Sequence, residues 1–262
     1  MASTLHRILA ETRRGLPELW GRRAELESAA LARPLRRPFS AALRGPTVAV
    51  IGELKRRSPS AGVIAPALDL PRQGRTYAQH GASAISVLTD AANFGGSVRD
   101  LAAVADAVSL PLLRKDFILD EVQVIEARAA GASAVLLIVR ALGPENLRLL
   151  LDRAHEWGLE ALVEVHETDE LEVALDAGAR AIGVNSRDLR DFRIDTATAW
   201  KLLGRIPREV IAVAESGIHD AEGVSRAATE GADAVLIGTA LSASPDPGSL
   251  MATLVGIPRC AR

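Results

Sequence analysis

The chain has a single cysteine, Cys260, close to its C-terminus. That count excludes a disulfide framework and a thiolate zinc cluster, and it makes a reducing compartment the expected home. Aromatic residues are scarce at 3% of 262 residues, too few for a base-stacking platform or an aromatic-rich β-sandwich. No charge-free apolar run reaches the roughly 18 residues of a membrane span. The opening stretch MASTLHRILAETRRG has no continuous apolar segment, so a cytoplasmic protein without a membrane partner is expected. Excess charge is missing as well. With 31 basic and 33 acidic residues the formal charge is -2, and no basic footprint for nucleic acid is present. Pairs such as Arg13-Arg14 and Arg36-Arg37 read as solvated faces.

What fills the chain is small and aliphatic. Hydrophobic residues make up 48% of it, supplied by Ala, Val, Leu and Ile, a composition that suits helices packed on buried strands. A five-residue pattern, Gly-Ala-x-Ala-Ile/Val, recurs from Gly81, Gly131, Gly178 and Gly231. Each copy follows a helix-like segment and precedes an apolar run, which reads as a helix stopped by a left-handed glycine and followed by a buried strand. The copies are too far apart for one βα unit and fit two. The interleaved strands are expected at Thr47–Glu53, Pro111–Lys115, Ala161–Glu164 and Val210–Ala214, with helices at 121–130, 145–157, 168–177 and 220–230.

Eight βα units over residues 47–262 predict a (β/α)8 TIM barrel within a single domain, 1–262. Residues 1–46 form an N-terminal helical extension, with Leu5, Ile8 and Leu9 and then Leu19, Leu26 and Leu31 on its apolar faces, placed to cap the barrel or flank its entrance. A doubly wound open sheet is the alternative. That fold usually carries a Gly-rich dinucleotide loop after its first strand, where this chain has Gly52-Glu53-Leu54-Lys55.

Barrel enzymes work at the C-terminal ends of their strands. Here those ends carry Glu53 and Lys55, Thr89, Lys115 and Asp116, Glu164, Asn185, Glu215 and Ser216, and Gly238 and Thr239. Strand alternation puts Glu53 and Lys55 on one face. Each ionisable residue alone could be a solvated rim group. Several together at one mouth are hard to explain by packing, because barrel interiors prefer branched apolar side chains. Small residues in Glu215-Ser216-Gly217 and Gly238-Thr239 would let backbone N–H groups approach a phosphate, or they merely make tight turns.

In order along the chain stand Glu53-Leu54-Lys55-Arg56-Arg57-Ser58-Pro59-Ser60-Ala61-Gly62, Ser86-Val87-Leu88-Thr89 with Phe94-Gly95-Gly96-Ser97, and Leu113-Arg114-Lys115-Asp116-Phe117-Ile118. They continue with Leu162-Val163-Glu164-Val165-His166, Gly183-Val184-Asn185-Ser186-Arg187-Asp188-Leu189, and Ala214-Glu215-Ser216-Gly217-Ile218. Over nearly its whole length the chain thus resembles the indole-3-glycerol phosphate synthase family. The resemblance implies ring closure, decarboxylation and dehydration of 1-(2-carboxyphenylamino)-1-deoxyribulose 5-phosphate in tryptophan biosynthesis.

On that basis Glu53, Lys55, Lys115, Glu164 and Asn185 are the expected catalytic residues, with Lys115 as general acid and Glu53 and Asn185 orienting it. Ser58, Phe94, Phe117, Arg187, Leu189 and Glu215 would bind substrate, and Ser216, Gly217, Gly238 and Thr239 its phosphate. No metal or cofactor is implied, and a monomer is expected with a small phosphorylated substrate as its partner. Three of the four phenylalanines, Phe94, Phe117 and Phe192, fall in expected loops on the face where an aryl group would sit. The chain departs from the family pattern at Ser186, where a second asparagine is frequent, and at Thr239, where Ser or Glu is. Two other readings stand beside this one: a phosphosugar aldolase or isomerase on the same barrel, and a phosphate-binding scaffold without catalysis.

Overall fold

Each Gly-Ala-x-Ala copy ends a helix and starts a strand. In the computed structural model, which describes residues 4–58, 62–188 and 193–260, the four glycines have φ between 84° and 100°. The next residue of each copy donates its N–H to the carbonyl five positions back: Ala82 to Tyr77, Ala132 to Ala127, Ala179 to Ala174 and Ala232 to Ala227. That 6→1 bond satisfies a carbonyl left over at the helix end, and it needs a left-handed residue that glycine supplies without a Cβ clash.

The second alanine of each copy opens a strand. The strands are β1 (Ala49–Leu54), β2 (Ala84–Leu88), β3 (Leu112–Lys115), β4 (Ala134–Ile138), β5 (Glu160–Val165), β6 (Ala181–Asn185), β7 (Ile211–Glu215) and β8 (Ala234–Ile237). All pair in parallel with their sequence neighbours, and β8 closes on β1 through Ala49–Gly52 against Ala234–Ile237. The doubly wound alternative is excluded by that closure. The expected strand limits hold to within one or two residues.

Alternation then sorts every strand residue. The first alanine of each copy lies in the outer core between helix and strand, and the second, Ala84, Ala134, Ala181 or Ala234, points into the barrel. Above these four, the odd strands contribute Ile51, Leu113, Leu162 and Val213. This apolar floor supports what sits two residues further along the same strands.

The extension does both jobs expected of it. Helix α1 (Thr4–Gly21) brings Leu5, Ile8 and Leu9 into the same cluster as the barrel interior, and α2 (Arg23–Ala32) packs Leu26 and Ala30 on Val122 and Ile125. Helix α3 (Phe39–Ala42) buries Phe39 beneath the barrel, where the Ser40 N–H and hydroxyl both donate to Glu160 at the start of β5. Leu31 departs from its expected burial and is 78% exposed. One residue beyond Ala30 is a turn of about 100° around the helix, enough to carry it off the packed face.

Gly178 isolates the conformational cost of the repeat, since a Cβ there would meet nothing within 4 Å. Gly178→Ala should lower unfolding free energy by about 1 kcal/mol and Gly178→Asn by less. Chemical denaturation of the two variants measures both, and equal losses would contradict the left-handed requirement.

Candidate active site

Four odd strands end in charge. Glu53 on β1, Lys115 on β3, Glu164 on β5 and Glu215 on β7 each stand two residues above a member of the apolar floor. Lys115 Nζ lies 3.2 Å from Glu164 Oε2 and 3.2 Å from Glu215 Oε2, with both glutamates 1% exposed. Lys55 Nζ stands 2.8 Å from Glu53 Oε1. Glutamates and lysines therefore pair in this layer.

Close approach of backbone makes space for them. A Cβ on Gly183 would lie 2.0 Å from Glu215 Oε1, and one on Gly238 would lie 2.1 Å from Glu53 Oε1. Gly183 belongs to β6 and Gly238 directly follows β8, so the large polar groups of odd strands fit beside small residues at the ends of even ones.

Burial and partners set the protonation of this layer. Burial pushes the Lys115 ammonium down, but the carboxylates of Glu215, Glu164 and Glu53 more than reverse that and hold it above its ordinary range. Burial pushes Glu164 up; Lys115, His166 and Asn185 outweigh it, so Glu164 is held below the usual carboxylate range. Glu215 goes the other way. Burial, with the nearby charges of Glu164 and Glu53, pushes it up to about 7 despite the pull of Lys115. Two carboxylates facing one ammonium are thus driven apart, the pattern that separates a base from an acid in one site.

Above the layer opens a cleft of about 680 Å³ lined by Glu53, Lys55, Ser58, Phe94, Lys115, Phe117, Glu164, Asn185, Arg187 and Ser216. A second pocket of about 430 Å³ joins it and brings together Ser216, Gly217, Gly238 and Thr239, with Glu215 and Lys115 at its floor. Lys55 and Arg187 line both spaces. Ser216 (φ 64°) is the one non-glycine residue with positive φ among the described residues, and Gly217 follows at 77°. Such strain persists where the surroundings fix it, commonly at functional sites.

All but one of the expected site residues come together here. Leu189 and Phe192 lie outside the described residues, as does the 59–61 segment. Lys115 is oriented differently from expectation. Its carboxylate partners are Glu164 and Glu215, while Glu53 pairs with Lys55 and the Asn185 Oδ1 accepts the Arg187 N–H at 3.0 Å. Strand β7 lies across the barrel from β3, and β5 and β1 each stand two strands from it, but the Glu53 carboxylate is taken up by Lys55, two residues further along its own chain. Thr89 turns away from the cleft, and its hydroxyl donates to Asp116, which also takes Arg114.

The two arginines after Lys55 tie loops together, while Ser58 beyond them lines the cleft. Arg56 makes a two-pronged pair with Asp100, each bond 2.9 Å, and Arg57 donates to the Asn93 carbonyl. Sequence reasoning missed the apolar side of the cleft, Leu88, Leu136 and Ile138. Counting by twos from Ala84 and Ala134 would have found them, because these strands point every second residue inward.

The chain matches the family model described as Indole-3-glycerol phosphate synthase over residues 5–254. It is 48% identical over 247 residues to the indole-3-glycerol phosphate synthase 2 of Streptomyces coelicolor, covering 94% of this chain and 96% of that one. The indole-3-glycerol phosphate synthase of Opitutus terrae is 46% identical over 261 residues, with 96% and 98% covered. Among solved structures, the 3-hexulose-6-phosphate synthase of Salmonella typhimurium superposes with TM-score 0.63 at 16% identity, covering 79% of this chain and 96% of that one. At that identity the likeness is one of fold.

The carboxyl of Glu215 should titrate near 7 in carbon-13 NMR of labelled protein. Lys115→Met removes the cation that favours the charged form, so the midpoint should rise further. A midpoint that falls in this variant would refute the assigned pairing.

Proposed function

Because this chain belongs to the indole-3-glycerol phosphate synthase family, we propose that it is an enzyme of tryptophan biosynthesis that converts 1-(2-carboxyphenylamino)-1-deoxyribulose 5-phosphate to indole-3-glycerol phosphate, carbon dioxide and water. The observation that carries this reading is the buried Lys115 ammonium between two carboxylates, at the floor of an apolar-walled cleft that opens into a small-residue pocket. The cleft suits an aryl ring, and the pocket a phosphate.

Ring closure begins as the aryl carbon bearing the carboxylate attacks C2 of the ribulose, breaking the carbonyl π bond. Lys115 gives a proton to the alkoxide that develops, and Glu164 and Glu215 hold the ammonium at that point. The cyclised intermediate is an iminium ion, so the carbon–carboxylate bond can break with its electron pair flowing into the ring as carbon dioxide leaves. Arg187 pairs with that carboxylate before it departs. In the dehydration Glu164, ionised at neutral pH, takes the proton from ribulose C1, while Lys55 gives one to the leaving hydroxyl. Glu53 and Asn185 bind sugar hydroxyls, and Glu53 also keeps the Lys55 ammonium in place. The backbone around Ser216-Gly217 and Gly238-Thr239 holds the phosphate, a role in which the Thr239 side chain matters little.

The same electrostatics weigh against a Schiff-base aldolase. An amine that adds to a carbonyl must be neutral, and three carboxylates keep Lys115 charged. Borohydride added with substrate should trap no lysine adduct. Incubation of the protein with the carboxyphenylamino-deoxyribulose phosphate should generate indole fluorescence. Lys115→Ala should lower kcat by about a thousandfold while substrate Kd changes by less than about tenfold. Absence of fluorescence with folded parent protein, or near-normal kcat in the variant, would overturn the proposal.

A further inference from the structure

One buried titratable side chain beside the site has no part in these steps. His166 follows β5 by one residue, on the same side of the strand as Glu164, and is 5% exposed. Its Nε2 lies 3.4 Å from Glu164 Oε1. Both atoms are buried and neither has a hydrogen-bond partner among the described residues, so each is the nearest group able to satisfy the other. On the other side of the ring, Nδ1 lies 3.3 Å from Glu170 Oε2.

Glu170 is itself fixed. It is the third residue of the helix Thr168–Asp176, and its Oε2 accepts the His166 backbone N–H at 2.7 Å. This is the reach-back of a helix N-terminus to the residues preceding it. Its Oε1 accepts Arg140 Nε at 2.6 Å, and Arg140 also pairs with Glu167 at 2.8 Å and faces Asp188 at 3.5 Å. The ring therefore has a carboxylate on each nitrogen. A neutral imidazole donates from one nitrogen only, and would present its lone pair to the other carboxylate; the protonated ring donates to both.

We propose that His166 is a positioning residue for Glu164, donating from Nε2 to Glu164 Oε1 while Nδ1 is anchored on Glu170, so that Oε2 of Glu164 stays turned toward Lys115. This rests on the reading of Glu164 as the base of the dehydration. The ring is faced by Glu164 from β5, Glu170 from the helix Thr168–Asp176 and Arg140 from the helix Val139–Glu156, with Glu167 and Asp188 beyond Arg140 and Lys115 beyond Glu164. Burial pulls the imidazole down and Arg140 adds to that, but Glu170 and Glu164 outweigh them and raise it. The ring's charge in turn helps hold Glu164 down.

The test uses the full chain. In nitrogen-15 NMR the parent should carry protons on both His166 nitrogens at pH 7, and Glu164→Gln should lower the midpoint of the ring. His166→Leu should raise the Glu164 midpoint in carbon-13 NMR, reduce kcat about tenfold, and leave KM within about threefold. The acid limb of kcat/KM should move to higher pH, since Glu164 has lost a cation. His166→Gln, which offers Glu164 an uncharged N–H, should recover most of kcat but not the position of that limb. A neutral ring at pH 7, or an unmoved Glu164 midpoint in His166→Leu, overturns the proposal. A moved midpoint with unchanged kcat supports the contact and instead overturns the role of Glu164 as base. If His166→Leu does not fold, the ring's charge in the parent and in Glu164→Gln decides the matter.

Discussion

An ammonium buried between two carboxylates, Lys115 with Glu164 and Glu215, is the interaction on which the rest of this molecule depends. Taking these groups out of water costs several kcal/mol each, and their mutual attraction offsets that only in good geometry. Good geometry here means three side chains from three strands meeting at one level of a closed sheet. An open sheet would leave β3 and β7 on one surface rather than facing each other across an interior. Closure of β8 on β1 is thus a condition of the chemistry as well as of the fold.

The remainder of the barrel serves that layer. Branched residues on the odd strands form the floor beneath it, and Gly183 and Gly238 leave the space that Glu215 and Glu53 need. Below, α3 closes the bottom of the barrel through Phe39 and the Ser40–Glu160 contacts. At the other end, α1 packs with the residues that line the cleft. The arginines after Lys55 and the Arg140 group fasten loops to helices, so the mouth is held by ion pairs where the floor is held by packing.

Much of this was legible in the residues. Gly-Ala-x-Ala specifies a local event, a left-handed stop with a 6→1 hydrogen bond, and local events are encoded in adjacent residues; the helix ends, the strand starts and the count of eight units follow from it. The polar strand ends stood out because packing cannot account for them. Leu31 was misjudged because an apolar residue near a helix end lies on either side of the packed boundary according to the neighbouring helix. The cleft wall of Leu88, Leu136 and Ile138 escaped notice because apolar residues in a strand look alike whether they face helix or ligand.

The units, their order, and the chemical group that each strand carries are written in the residues. Tertiary structure alone decided the pairings: Lys115 with Glu164 and Glu215, Glu53 with Lys55, and His166 between Glu164 and Glu170. The physical reason is range. Hydrogen bonding at a helix end is fixed over about five residues, whereas Lys115 and Glu215 are separated by three intervening strands either way around the barrel and meet only when its circumference closes. Protonation follows the same division, since residue type gives each carboxyl its ordinary affinity for a proton, burial raises both, and only the neighbours that the fold assembles drive Glu164 and Glu215 in opposite directions.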